Sequence, residues 1–207
     1  MATAVDPLLE AVHGGYVHRR RVRVLCDHLA SMIPAGTTSL LDVGCGDGWL
    51  AAKVGQARPE LKLAGLDVLV RSGTHIPVEG FDGKKLPCAD GSWDAVMMVD
   101  VLHHTEDPSV LLNEAARVSR KWVLIKDHYL QGLGAEGTLR FMDWISNARY
   151  GVVLPYNYQT PARWDRLMAG AGLRRHEERV RLGLYPWPAS WVFGRRLHFI
   201  ACLKKEA

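Results

Sequence analysis

The sequence predicts an α/β fold: a seven-stranded, mostly parallel sheet in a three-layer sandwich, with an antiparallel final strand. Three observations lead there. Apolar strand-like runs alternate with segments of helical spacing from residue 39 to residue 126, the order that builds parallel sheets through right-handed crossovers. Asp94-Ala-Val-Met-Met-Val-Asp100 is a continuous apolar run with an acid at each end, the pattern of a strand buried on both faces. Leu41-Asp42-Val43-Gly44-Cys45-Gly46-Asp47-Gly48 begins as a strand, breaks into three alternate glycines and resumes as a helix. Glycine there permits positive φ and removes the Cβ that would keep a ligand off the backbone, and such a turn is the ligand site of doubly wound sheets.

The elements follow in order. Residues 16–33 place Val17, Leu25, Leu29, Met32 and Ile33 at helical intervals among arginines, and Pro34-Ala-Gly-Thr stops the helix. A strand at 39–43, the glycine turn and a helix to about 56 come next. Leu61-Lys-Leu-Ala-Gly-Leu-Asp67 alternates as a second strand, and 75–83 offers a weak third. After the fourth strand, Pro108 to Ser119 reads as a helix with proline in its first turn. Trp122-Val-Leu-Ile-Lys126 is the fifth strand; residues 138–150 and 161–171 read as helices. Strands at 176–182 and 197–203 are joined by about fourteen residues without a clear helix, which makes them an antiparallel pair.

At 207 residues, 48% hydrophobic and 23% charged, the chain is expected to form one globular domain. Its first residues lack a charged head followed by an apolar core, and no apolar run is long enough to span a bilayer. Cys26, Cys45, Cys88 and Cys202 are scattered, which argues against a zinc site or disulfide framework and suits a reducing cytoplasm. Arginines cluster at 19–23, and Arg174, Arg175, Arg179, Arg181, Arg195, Arg196, Lys204 and Lys205 crowd the later part. These are solvated faces or attract an anionic partner.

The glycines alone fit two nucleotide families, since Gly46-x-Gly48-x-x-Ala51 also satisfies the dinucleotide pattern. Asp67, 19 residues beyond Gly48, suits ribose hydroxyls in either. The stretch from Phe81-Asp82-Gly83 through Leu86-Pro87, Asp90-Gly-Ser-Trp-Asp94, Leu102-His103-His104 and Asp107-Pro108 separates them. With Asp42-x-Gly-x-Gly-x-Gly48, it resembles the class I S-adenosylmethionine-dependent methyltransferases, specifically the small-molecule group that includes ubiquinone and menaquinone methylating enzymes. The likeness covers about residues 38–126 and implies a Rossmann-like domain divided into an N-terminal helical cap (1–37), a cofactor core (38–128), a substrate-side insertion (129–160) and a closing helix and strands (161–207).

Residue by residue, the resemblance implies S-adenosyl-L-methionine as cofactor. Gly44, Cys45, Gly46 and Gly48 would offer backbone to the methionine portion and ribose, with Asp42 anchoring the turn near the cofactor amino group. Asp67 would hold the ribose hydroxyls, Val68 would lie against adenine, and Asp82 with Gly83 would bind its amine. Asp100 would sit beside the methionine portion, where Arg20 or Arg21 would meet the carboxylate. Of the His103-His104 pair, at least one is expected to be structural or cofactor-side.

On the acceptor side, ligands bind beyond the carboxyl ends of strands. His128 is the candidate base because an imidazole titrates near neutrality, with Asp127 and His104 as rivals. Tyr129, Asp143, Asn147, Tyr156 and Tyr158 are candidate acceptor contacts, aromatics interleaved with polar groups; Phe141, Trp144 and Ile145 read as the core face of their helix. No His/Asp grouping with ligand spacing stands in the sequence, so no metal is expected. The expected function is methyl transfer to a small organic acceptor, with oxygen favoured. A lipid-linked or nucleic-acid acceptor, or a cofactor-binding subunit without transfer chemistry, remains as an alternative. Nucleic acid is disfavoured because Asp100-Val-Leu-His stands where a nucleobase aminomethylase carries Asn-Pro-Pro-Tyr. The loop 183–193, with Tyr185, Trp187, Trp191 and Phe193, either lines the acceptor site or makes a peripheral membrane contact.

Overall fold

The computed structural model describes residues 18–147 and 155–206. Its middle layer is a seven-stranded sheet of order β3-β2-β1-β4-β5-β7-β6. The strands are β1 (Ser39–Val43), β2 (Lys62–Asp67), β3 (Val78–Gly80), β4 (Trp93–Val99), β5 (Ser119–His128), β6 (Leu173–Arg179) and β7 (His198–Lys205). Strands β1 to β5 run parallel; β7 is antiparallel to both β5 and β6. The expected antiparallel final strand is therefore present, inserted between two others.

Alternation along each strand divides the core. Leu40, Ala95, Met97, Leu124, Ile200 and Cys202 face α1 (His18–Met32) and α2 (Trp49–Ala57). Leu41, Val96, Met98, Val123, Ile125 and Ala201 face α3 (Pro108–Val118) and α5 (Pro161–Gly170). The latter two helices begin as their sequences dictate. Asp107 accepts from Ser109 N at 2.9 Å and Thr160 Oγ1 from Arg163 N, each ahead of a proline in the first turn. Asp94 fastens the start of β4 to β1 by accepting from Thr38 N (2.9 Å), Thr38 Oγ1 (2.7 Å) and Ser39 N (3.2 Å).

Several boundaries move. Strand β5 extends from Ser119 to His128 instead of 122–126, because Ser119 pairs with Trp93 of β4 and β7 pairs with the other end as far as His128 opposite His198. Strand β6 occupies Leu173–Arg179, not 176–182; its charged, alternating edge sequence gives little apolar signal for a start. Helix α4 covers Ala135–Asn147, three residues earlier than expected, and residues 148–150 of the expected helix lie outside the described residues, as do 16 and 17. A short helix, α6 (Ala189–Phe193), interrupts the loop read as irregular. Among the described residues no helix is long and apolar enough to cross a membrane.

Candidate active site at the carboxyl ends of the strands

The turn after β1 is shaped by its glycines: Gly44, Gly46 and Gly48 have φ of 73°, 62° and 74°. A Cβ on Gly44 would lie 2.5 Å from Val101 Cγ2, and one on Gly48 2.4 Å from Ile76 Cγ1. Asp67, at the end of β2, accepts from Gly46 N at 2.7 Å and Leu69 N at 2.9 Å, tying the turn to the next strand. Asp42 lies buried beneath; burial, with Asp67 adding, pushes its carboxyl up to about 8. Asp47 accepts from Trp49 N at the start of α2. Beyond β2, Val68 is 66% exposed, an open apolar face. Asp82 accepts from Lys84 N and Lys85 N through Oδ1, both 2.8 Å, with Gly83 at φ 78°. A turn of three left-handed glycines, a carboxylate at its rim and an exposed apolar side chain beyond it fit an adenosyl ligand with an amino-acid tail.

Behind the turn lies an ionic cluster. Asp100, at φ 57°, is ion-paired with Lys126 and Arg21, and His128 Nε2 stands 3.4 Å from its Oδ1. Burial opposes ionisation, yet Lys126 and then Arg21 hold Asp100 well below the usual carboxylate range. Lys126 is wholly buried, and its Nζ lies 3.4 Å from His198 Nδ1. Burial, then Lys126, keeps both His128 and His198 well below the usual imidazole range, so both are neutral.

A second cluster adjoins it. His103 Nδ1 donates to Asp127 Oδ1 at 2.8 Å, while Nε2 faces Asp143 Oδ2 at 3.3 Å without alignment for a hydrogen bond. Burial alone would lower His103, but Asp127 and then Asp143 outweigh it and push it up to about 10. Asp127 also accepts from His128 N (2.7 Å) and Leu102 N (3.2 Å), which occupies both its oxygens. Tyr158 donates to Asp143, and Asn157 clamps the loop after β4 through its amide, which donates to Thr105 O and Glu106 O at 3.0 and 2.9 Å. His104 is half-buried, lowered by burial and then by His103.

The structure thus brings His103, His104, Asp127, His128, Asp143 and Tyr158 together. Tyr156 lies at their edge under the Arg140 guanidinium, 5.0 Å from its ring. Tyr129 it does not join to them: the ring stacks on Phe199 at 4.3 Å and the hydroxyl donates to Glu178 on β6. The side chain of Asn147 lies outside the described residues. Arg21 meets Asp100, and Arg20 donates to Gly183 O. Phe141 and Trp144, expected in the core, are exposed. In the 183–193 loop, Tyr185 is buried 5.6 Å from the His198 ring, whereas Trp187 and Trp191 are each 79% exposed. Sequence reasoning missed Lys126 and His198. A lysine closing an apolar strand was the signal for the first; the second is visible only through its register opposite His128.

These charges set a pH optimum for stability. Below about 6.5 the unfolded chain binds protons at His128 and His198 that the folded chain refuses, so stability falls with acid. Asp42, raised to about 8, opposes this with one proton from about 3.9 upward. Above 6.5, Asp42 and His103 both retain protons the unfolded chain has lost, so stability falls with alkali. Urea midpoints are expected to peak near pH 6.5, and His103→Gln to flatten the limb between about pH 6.5 and 8.

An uncharacterized methyltransferase of Mycobacterium tuberculosis is 36% identical over 92 residues, which cover 41% of this chain and 47% of that protein. The 27-O-demethylrifamycin SV methyltransferase of Amycolatopsis mediterranei is 32% identical over 111 residues, covering 46% and 40% respectively. The chain therefore spans just under half the length of these curated relatives. A solved S-adenosylmethionine-dependent methyltransferase of Thermotoga maritima shares the fold, with TM-score 0.65 over 96% of each chain at 16% identity. The family described as "Methyltransferase domain" matches residues 16–178, and the chain belongs to that family.

Proposed function

We propose that this protein transfers a methyl group from S-adenosyl-L-methionine to a small organic acceptor, with oxygen the favoured acceptor atom. The observation that carries the reading is the cradle of Gly44, Gly46 and Gly48 with Asp67 bonded across it. In this reading the turn's backbone, with Cys45, holds the methionine portion and ribose, and Asp67 takes the ribose hydroxyls. Val68 and Asp82 with Gly83 receive the adenine. Asp42, buried beneath the turn, would lie near the cofactor ammonium, whose charge would favour the ionised carboxyl. Asp100, fixed by Lys126 and Arg21, borders the methionine portion.

When bound, the cofactor supplies a sulfonium-activated methyl group; the chain's task is to align the acceptor and take its proton. Of the three candidate proton acceptors, His104 is the best placed. It is neutral and half-buried, whereas His128 is fully buried and Asp127 is spent on His103 and two backbone amides. Asp143, Tyr156 and Tyr158, on residues 129–160, form the acceptor side, closed onto the core by Asn157. The rifamycin-named relative supports oxygen as acceptor, and on this reading the chain works as one cytoplasmic domain. A lipid-linked acceptor is the second reading, favoured by exposed Trp187 and Trp191 beside Arg195 and Arg196.

Calorimetric titration with S-adenosylhomocysteine tests the cofactor assignment. Micromolar binding is expected, with Asp67→Ala about 10–100-fold weaker, the value of lost charge-assisted hydrogen bonds. Binding of NAD with none of the adenosyl ligand would overturn it.

A further inference from the structure

We infer that His103, His104 and Asp143 form a binding site for one divalent transition-metal ion of the zinc class. One potential ligand atom from each lies within 4.8 Å of the others. Among the described residues, His104 Nδ1 is buried without a hydrogen-bond partner, an expensive state for a polar atom, and His103 Nε2 faces only the Asp143 carboxylate. The 3.3 Å between His103 Nε2 and Asp143 Oδ2 equals the edge between neighbouring ligands of a tetrahedral ion with bonds of about 2.0–2.1 Å.

The surroundings are those of a metal centre. A ligating histidine gives its other nitrogen to a carboxylate, and a ligating carboxylate is itself hydrogen-bonded. His103 Nδ1 is held by Asp127, and Asp143 accepts from Tyr158. With neutral imidazoles as ligands, the charges of Asp127 and Asp143 together balance one dication. Two imidazoles and one carboxylate select zinc, cobalt or iron over magnesium or calcium. The neighbouring group of Asp100, His103 and His128 also has its ligand atoms within 4.8 Å. Asp100 is already neutralised there by Lys126 and Arg21, whose charges repel a cation.

Three protein ligands leave a coordination position for water or an acceptor oxygen, the arrangement of catalytic rather than structural sites. The spacing of residues 103, 104 and 143 in sequence gave no sign of this, because the ligands come from the loop after β4 and from α4. The inference does not rest on methyl transfer: it excludes only the use of His104 as proton acceptor, and it is read without cofactor.

The full chain, stripped with chelator, is titrated calorimetrically with zinc chloride and, separately, followed by visible absorption with cobalt. One ion per chain is expected, with Kd of about 1 µM or tighter. Magnesium is expected not to bind. His104→Gln and Asp143→Asn are each expected to weaken zinc at least about tenfold, Tyr158→Phe about tenfold, as outer partners do, and His128→Gln to leave it unchanged. Zinc is expected to raise the Tm of the wild type but not of His104→Gln, which separates lost ligation from lost folding. Absence of stoichiometric zinc binding, or binding indifferent to His104→Gln and Asp143→Asn, would overturn the site. Loss with His128→Gln equal to theirs would do the same. Retained binding of S-adenosylhomocysteine by the metal-free protein keeps the cofactor reading standing in either case.

Discussion

Asp100→Asn is expected to destabilise the protein by about 3–5 kcal/mol, the cost of leaving buried charge uncompensated. Asp100 sits at φ 57°, where asparagine is as well tolerated as aspartate, so the exchange changes charge and leaves the backbone alone. What it strands is Lys126, wholly buried, and Arg21, brought by α1 to the same carboxylate. Urea denaturation at pH 7 measures the loss. Adding Lys126→Met to Asp100→Asn is expected to recover part of it, since an apolar side chain of similar length replaces an unpaired ammonium. If the double variant is less stable than Asp100→Asn by the full cost of Lys126→Met alone, the two residues are not coupled and the account fails.

Gly48→Ala is expected to cost about 1–3 kcal/mol from its left-handed backbone alone, and more because the new Cβ would stand 2.4 Å from Ile76 Cγ1. Gly46→Ala provides the comparison. Its Cβ would meet only the end of the Arg71 side chain, at 3.3 Å, which can swing aside. Gly46→Ala should therefore pay the backbone term alone, and Ile76→Ala should relieve Gly48→Ala without helping Gly46→Ala. Both alanines are expected to weaken S-adenosylhomocysteine at least about tenfold, because each strains the left-handed turn and tilts its amides. Thermal melts paired with titration separate the two effects. Equal destabilisation by both glycine variants would show that Ile76 is not the limiting contact.

What was legible in the sequence was local. The glycine turn, Asp67 at its strand end and the doubly buried β4 are each written within a few residues, so periodicity and spacing found them. The polar centre was not. Asp143 lies 40 residues beyond His103 and meets it only because α4 folds over the strand ends, with Asn157 holding the next segment onto Thr105 and Glu106. Strand β6 was misplaced because, after Leu173, both of its faces carry only arginine, histidine and glutamate, which leaves almost no apolar pattern to mark its bounds. Trp144 was assigned to the core by helical spacing, but the face it occupies is left exposed.

The place of β7 between β5 and β6 governs how the chain matures during translation. Strand β6 is synthesised before the strand it pairs with, so it leaves the ribosome with no neighbour in the sheet. His198 arrives on that same late strand, which means Lys126 waits for its last polar contact until the sheet closes. A nascent chain halted after β6 should therefore hold the cofactor turn formed while its Lys126 end stays open to solvent, with closure delayed until the long-range pairing completes.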